Sequence, residues 1–302
     1  MSAIYSIRDL EQLSGIKAHT IRIWEQRYGI LQAGRTDTNI RFYDESELRH
    51  MLQLALLNRH GFKISKLAAM DQKELGEKVQ ELIDSPQAFS VQIEALVLAT
   101  IAFDAEKCEK ILHTAILQMG LEGAMLKVVL PFLEKLGMLW VAGNVIAAQE
   151  HFISQIIRQK LIVAIDGQSS KVQPDAKRFV LFLPNGEWHE INLLFLCFML
   201  RARGQEVFYL GSSVPLQDVI QTGEIRMPDA YYTIITSPPS GYSEKDYLNT
   251  LADHFPKSTV YVSGARMQDV PRGLSGNVEV LRSREDVLAW VEGFLPISST
   301  FV

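Results

Sequence analysis

The sequence predicts a multidomain chain: an α-helical winged helix-turn-helix head, a four-helix bundle, and a flavodoxin-like (Rossmann-type) α/β domain with five parallel strands. Three observations support this. Two short helical patterns near the start are separated by Ser14-Gly15. Longer helical patterns follow, with apolar residues three and four apart. Apolar strands then alternate with helices. The predicted domains are residues 1–85, 86–168 and 176–302.

The composition restricts the class of protein. The 302 residues are 47% hydrophobic and carry a net charge of −5. Residues 1–70 hold ten Lys and Arg against seven Asp and Glu, while the remainder hold twenty against twenty-eight. A basic head on an acidic body indicates a localised nucleic-acid footprint. The two cysteines lie far apart, no apolar run approaches the roughly 20 residues of a membrane span, and no signal peptide is recognisable. We therefore expect a cytoplasmic protein without a membrane partner.

The first element is predicted to read DNA. Ser6 caps a helix over residues 7–13, and a recognition helix covers residues 18–27. Ile21 and Trp24 point inward, and residues 35–42 have the character of a wing before a helix that Asp44 opens. Side chains that can reach bases or phosphates are the candidate DNA contacts. They are Lys17, Thr20, Arg22, Arg27, Tyr28, Arg35, Arg41 and Tyr43.

These head residues carry a family resemblance. The runs Tyr5-Ser-Ile-Arg-Asp-Leu, Thr20-Ile-Arg-Ile-Trp-Glu-Gln-Arg-Tyr28 and Arg41-Phe-Tyr-Asp-Glu-Ser-Glu-Leu48 closely resemble the MerR family of winged-helix regulators. The resemblance implies dimeric binding to a palindromic double-stranded DNA operator. It also implies a long dimerising coiled coil, but residues 71–84 are too short for one and Pro86 ends them. Dimerisation is therefore expected to use other surfaces or to occur on DNA.

The bundle contains a candidate cap for a ligand. Helices are predicted over residues 90–103, 105–119, 122–140 and 145–165. Trp140 precedes the pair Glu150-His151 by ten residues, and Gly143-Asn144 breaks the helix between them. Two antiparallel helices can therefore bring an aromatic ring, a carboxylate and an imidazole to one end of the bundle. The alternative is that the Trp belongs to the core and the pair is a solvated corner.

The third domain places His189 at the end of a strand. Strands are predicted over residues 179–183, 206–210, 231–236, 259–262 and 278–281, with a closing helix over 286–295. His189 follows the first strand, at the sheet edge where open α/β sheets bind ligands. It can reach a metal or cofactor there. Alone, a histidine at a strand end is more often a polar residue with no ligand role.

Together, the bundle and sheet motifs resemble the cobalamin-binding module. With the head included, the chain resembles the CarH/LitR type of light-responsive MerR regulators. Members of that type use adenosylcobalamin as chromophore. The resemblance implies that His189 is the lower axial ligand to cobalt. Glu187, where the family more generally has Asp, would orient the imidazole. Trp140, Glu150 and His151 would lie near the adenosyl group.

The sequence departs from the module where it lines the nucleotide-tail tunnel. The module's pattern is Asp-x-His-x-x-Gly, then Ser-x-Leu, then Gly-Gly. Asn192 stands at the first Gly, Ser237-Pro238-Pro239 replaces Ser-x-Leu, and Ser263-Gly264 replaces Gly-Gly. Asn192 can narrow the space or hydrogen-bond the tail. These changes are compatible with four outcomes: an altered geometry of the nucleotide tail, weaker cobalamin binding, binding of a different corrinoid, or loss of cobalamin binding.

The resemblance implies a transcriptional repressor and photoreceptor, with a dark homo-oligomer (dimer or tetramer) that light dissociates. The alternative is a cobalamin-independent MerR-type regulator whose C-terminal module binds another ligand or a protein partner such as an antirepressor. A corrinoid enzyme is a third hypothesis. It would need a substrate domain, such as a barrel of about 250 residues, for which this sequence has no segment. We therefore expect no enzymatic activity.

Overall fold

The computed structural model describes residues 5–35, 41–59, 61–83, 89–168 and 172–294. The chain divides into two compact units, residues 1–156 and 157–302. The head and most of the helical region form the first unit, and the α/β domain lies in the second. The three predicted domain boundaries remain predictions.

The head begins with the predicted pair of helices, α1 (Ile7–Ser14) and α2 (Ala18–Tyr28). Ser6 and Asp9 form a reciprocal capping box at the start of α1, and Gly15 ends it in a left-handed conformation. Strands β1 (Gly34–Arg35) and β2 (Arg41–Phe42) pair antiparallel, while residues 36–40 of the predicted wing lie outside the described residues. The head continues with α3 (Glu45–Arg59), α4 (Ile64–Leu67) and α5 (Gln72–Ile83).

Four long helical stretches follow, as the periodicity predicts. They are α6 (Phe89–Ile101), α7 (Ala105–Ala124), α8 (Leu130–Val141) and α9 (Ala147–Asp166). A π-helical turn, Met125–Val129, joins α7 to α8, and Gly120 has non-helical angles at the predicted break. The stretch Ala105–Val141 is long and apolar enough to cross a membrane by length and composition alone. That is weak evidence, because core helices of soluble proteins pass the same test.

The second unit contains the predicted sheet of five parallel strands. They are β3 (Arg178–Pro184), β4 (Glu206–Val214), β5 (Ala230–Ile234), β6 (Thr259–Ser263) and β7 (Val278–Val280). The helices are α10 (Ile191–Ala202), α11 (Leu216–Arg226), α12 (Glu244–His254) and α13 (Arg284–Glu292). The strand order β4-β3-β5-β6-β7 is that of a flavodoxin-like fold.

This topology positions the loop that follows β3. The chain leaves β3 towards β4 on one side and later returns to pair β5 on the other, so the winding direction changes at β3. Residues 179–184 of this strand are fully buried, as expected for a central parallel strand covered on both faces. Loops at such a switch point open into a crevice at the carboxyl edge of the sheet. Residues 185–190 occupy that place.

Candidate functional site

The recognition helix presents the polar face that the sequence predicts. Ile21 and Trp24 are buried beneath α2, while Arg22 is exposed and Thr20 is partly exposed. Lys17 is exposed before the helix, and its Nζ lies 3.2 Å from Glu11 Oε1. Short polar and cationic side chains on the solvent face of this helix are what a major groove requires.

The remaining predicted DNA contacts fall into two groups. Arg27 is exposed and its guanidinium lies 5.4 Å from the centre of the Tyr28 ring, and Arg35 is exposed on β1. Tyr43, by contrast, is 1% exposed and its hydroxyl donates to Glu25 Oε2 at 3.3 Å. Burial and the Glu25 carboxylate raise the pKa of Tyr43 to about 12. Its hydroxyl is therefore held inside the head, and Arg41 contacts the same carboxylate at 3.5 Å.

In the first unit, the predicted cap residues flank the turn between α8 and α9. Trp140 is 54% exposed near the end of α8. Glu150 and His151 lie in the first turns of α9, where His151 Nδ1 is 2.8 Å from Glu150 Oε2. Glu150 also accepts a hydrogen bond from the Ser154 hydroxyl at 2.6 Å. The carboxylate thus contacts both the imidazole of its neighbour and the hydroxyl one turn later.

In the second unit, the β3 loop presents an oriented imidazole. The His189 side chain is 77% exposed, and its Nδ1 lies 2.5 Å from Glu187 Oε1. Because a carboxylate can only accept, Nδ1 carries the proton and Nε2 keeps its lone pair. A carboxylate that fixes the tautomer in this way is the usual partner of a metal-binding histidine.

Glu187 itself is tied to two loops. Its Oε1 also accepts from the backbone amides of Trp188 and His189, at 3.0 and 3.1 Å. Its Oε2 accepts from the amides of Thr236 and Ser237, both at 3.2 Å, and from the Thr236 hydroxyl. Burial raises the pKa of this carboxyl, but the hydrogen bonds from Thr236 and His189 outweigh it and bring the pKa to about 2. The side chain is therefore an ionised bridge between the loops after β3 and β5.

A second carboxylate beside His189 was missed by the sequence reasoning. Glu190 Oε2 accepts from Arg158 Nε at 2.7 Å, and its Oε1 accepts from the Tyr209 hydroxyl at 2.8 Å. Burial and Glu190 raise the pKa of Tyr209, and the bond to Glu190 raises that of Arg158. Arg158 is 32 residues before Glu190, so no local spacing links them.

The predicted tail positions are dispersed over three segments: the start of α10, the loop after β5 and the end of β6. Asn192 is exposed in the first turn of α10, and Ser237 contacts Glu187 through its backbone amide. The Ser263 hydroxyl lies 2.8 Å from the buried Tyr232 hydroxyl. Gly264 has a φ of +117°, and a Cβ there would lie 2.4 Å from the carbonyl oxygen of Ile235. A glycine is therefore required at this position, as the resemblance implies.

Two family models match segments of this chain. Residues 5–74 match the MerR HTH family of regulatory proteins, and residues 92–164 match the B12 binding domain. The chain thus combines a segment similar to MerR HTH regulators with a segment similar to B12 binding domains. The B12-binding match contains Trp140, Glu150 and His151, whereas His189 lies beyond it.

Two relatives are similar to this chain over most of their length. The HTH-type transcriptional repressor CarH of Myxococcus xanthus is 27% identical over 269 residues, which cover 86% of this chain and 89% of the relative. The repressor CarA of the same organism is 28% identical over 211 residues, 69% of this chain and 68% of the relative. These similarities support a DNA-binding regulator linked to cobalamin.

Among solved structures, the monomethylamine corrinoid protein of Methanosarcina barkeri has a similar fold. Its TM-score is 0.53 at 17% identity, covering 71% of this chain and 99% of the other. Among the described residues, no group of three or more His, Cys, Asp or Glu is arranged to hold a metal ion. A single exposed imidazole with a fixed tautomer is nevertheless a suitable axial ligand for a metal held by a macrocycle. The β3 loop thus offers one donor of the kind that such a group would need from the protein.

Proposed function

We propose that this chain is a cytoplasmic transcriptional repressor whose DNA binding is controlled by adenosylcobalamin, with light as the signal and a change of homo-oligomeric state as the response. The observation that carries the proposal is the His189 imidazole, whose Nδ1 is held by the buried Glu187 and whose Nε2 is exposed. It is supported by the B12-binding match and by the similarity to CarH and CarA.

Each part of the chain has a distinct task in this proposal. His189 would ligate cobalt, and Glu187 would orient its ring. Trp140 and the Glu150–His151 pair would contact the adenosyl group, and the bound cofactor would supply a cobalt–carbon bond that visible light breaks. Lys17, Thr20 and Arg22 read the operator, while Arg27, Tyr28, Arg35 and Arg41 contact phosphates. Repression follows when the dark oligomer, a dimer or tetramer, covers the operator.

Absorption spectroscopy and size-exclusion chromatography test the proposal directly. The full chain is incubated with adenosylcobalamin in the dark, chromatographed, illuminated and chromatographed again, with operator binding measured in both states. We expect corrinoid absorbance to elute with the protein, and illumination to reduce both the assembly size and the operator affinity.

The matched control is a second exposed histidine of the same unit. His189→Ala should lose the corrinoid, whereas His254→Ala should retain it, because His254 lies at the end of α12 and its Nδ1 bonds the Thr250 carbonyl of the same helix. If His189→Ala binds as the native chain does, the axial-ligand assignment is wrong. If no corrinoid elutes with the native chain, the alternative regulator that responds to another ligand or to a protein partner is favoured.

A further inference from the structure

Glu190 has an unexpected role for a residue at the start of a helix. It occupies the N-cap of α10, but its side chain makes no capping hydrogen bond. Its carboxylate instead accepts from Arg158 on α9 and from Tyr209 on β4. Three elements of the second unit therefore meet at one side chain.

The environment of this cluster favours strong bonds. The Glu190 side chain is 13% exposed and that of Arg158 is 42% exposed, so the carboxylate is largely shielded from water while the guanidinium is partly solvated. The Arg158 bond joins two ionised groups at 2.7 Å, and such charge-assisted hydrogen bonds are about twice as strong as neutral ones. The contact therefore fixes Glu190 better than an exposed surface ion pair would.

The cluster also fixes the backbone on one side of His189. The Glu190 amide donates to the Trp188 carbonyl at 2.8 Å, which closes a tight turn around His189. On the other side, Glu187 accepts from the His189 amide at 3.1 Å. The residue with the free imidazole nitrogen thus lies between two anchored carboxylates.

Arg158 connects this turn to the helix that also carries the Glu150–His151 pair. It follows His151 by seven residues on α9, which is about 10 Å along the axis and close to two full turns. Residues with that spacing lie on nearly the same face of a helix. Because Arg158 donates to Glu190 directly, a displacement of this part of α9 would move the Glu190 carboxylate.

We propose that Arg158 is a positioning residue which, through Glu190, sets the His189 turn for coordination and couples that coordination to the position of α9. This inference rests on the proposed function, in which His189 is an axial ligand. It assigns a role to Arg158, Glu190 and Tyr209 that the spacing of the sequence motifs does not indicate.

Cobinamide is the probe that tests the positioning role of Arg158, because this corrinoid lacks the nucleotide base. Any axial nitrogen in its complex with the full chain therefore comes from the protein. The measurements are the dissociation constant and the nitrogen splitting in the electron paramagnetic resonance spectrum of the bound Co(II) form. Arg158→Gln should weaken cobinamide binding roughly tenfold, which is the smallest loss usual when a residue that orients a metal ligand is replaced. It should also reduce the fraction of bound Co(II) whose spectrum shows nitrogen splitting.

Three further variants separate positioning from a general loss of structure. Arg158→Lys keeps the charge and should restore part of the split signal, and Tyr209→Phe should give a smaller loss than Arg158→Gln. Arg178 pairs with Asp229 and lies at the start of β3, at the edge of the sheet opposite His189. Arg178→Gln should therefore bind cobinamide as the native chain does. Circular dichroism verifies the fold, and Tyr209→Phe carries the test if Arg158→Gln does not fold.

The results distinguish this inference from the proposed function. If Arg158→Gln and Tyr209→Phe both retain native affinity and splitting, while His189→Ala loses the splitting, the role of Arg158 is refuted and the axial ligand stands. If His189→Ala retains the splitting, the proposed ligand itself is wrong. Equal losses in Arg158→Gln and Arg178→Gln would also overturn the inference, because the effect would then be one of net charge.

Discussion

Replacing Glu187 by Gln perturbs the β3 loop without changing the shape of the side chain. The carboxylate accepts from two backbone amides on each oxygen, Trp188 and His189 on one, Thr236 and Ser237 on the other. A glutamine keeps one oxygen and replaces the other with an NH₂ group. In either orientation, two backbone N–H groups then face a donor.

The size of the effect follows from this geometry. A buried donor left without an acceptor costs about 1–3 kcal/mol, so two of them give about 2–6 kcal/mol. We expect about 3 kcal/mol, because loops at the sheet edge can relax towards water. At about 1.4 kcal/mol for each factor of ten, local opening becomes roughly 100-fold more frequent.

Hydrogen exchange measured by mass spectrometry on the ligand-free full chain detects this local opening. Peptides covering residues 185–190 and 235–240 should lose roughly 100-fold in protection. Peptides from β6 should exchange as in the native chain.

His189→Ala is the control, because it removes only the imidazole contact and should change protection by less than about tenfold. If Glu187→Gln exchanges no faster than His189→Ala in these two loops, the bridge assigned to Glu187 does not hold them together.

The other predictions concern the head and the sheet. Arg22→Ala should lower operator affinity by about 1–3 kcal/mol in a sequence-dependent way, and Arg35→Ala should reduce the slope of log affinity against log salt by about one, both measured by fluorescence anisotropy. Gly264→Ala should destabilise the second unit by about 3 kcal/mol or more in urea denaturation, because its Cβ would clash with the Ile235 carbonyl at a positive φ. Burial lowers the pKa of His50 below 6.5, so protonation favours the unfolded state. Stability should be retained above pH 6.5 and lost as the pH falls below it, and His50→Phe should flatten thermal melts across that range.

Much of the fold could be predicted because its signals are local. The capping box at Ser6 and the left-handed Gly15 bound α1 where the sequence suggests. The apolar runs of the five strands are likewise visible in the sequence. Strand β4 differs, since it continues four residues past the predicted Leu210 to Val214. The polar run Gly211-Ser-Ser does not resemble a strand, but pairing with β3, through two register shifts, keeps it in the sheet.

The site could be predicted only where its residues are close in sequence. Glu187 and His189 are two residues apart, so their pairing follows from the loop itself. Thr236 lies 49 residues from Glu187, and the contact depends on β3 pairing with β5. Tyr43 resembles a surface residue in its polar surroundings. It is nevertheless buried, and its contacts are with residues distant in sequence: its backbone pairs with that of Tyr5, and its hydroxyl donates to Glu25.

The glutamate at position 187 has a physical advantage over the shorter aspartate that the resemblance implies. A carboxylate that only orients the imidazole needs one oxygen near Nδ1, and an aspartate can supply it. Glu187 also reaches the amides of Thr236 and Ser237 in the loop after β5. That loop contains the altered Ser237-Pro238-Pro239 sequence, in which Pro239 stands where the module has Leu, and Ser237 donates to Glu187 through its backbone amide. The longer acid and the altered loop are therefore parts of one arrangement, in which the side chain that orients His189 also fixes the neighbouring wall of the crevice.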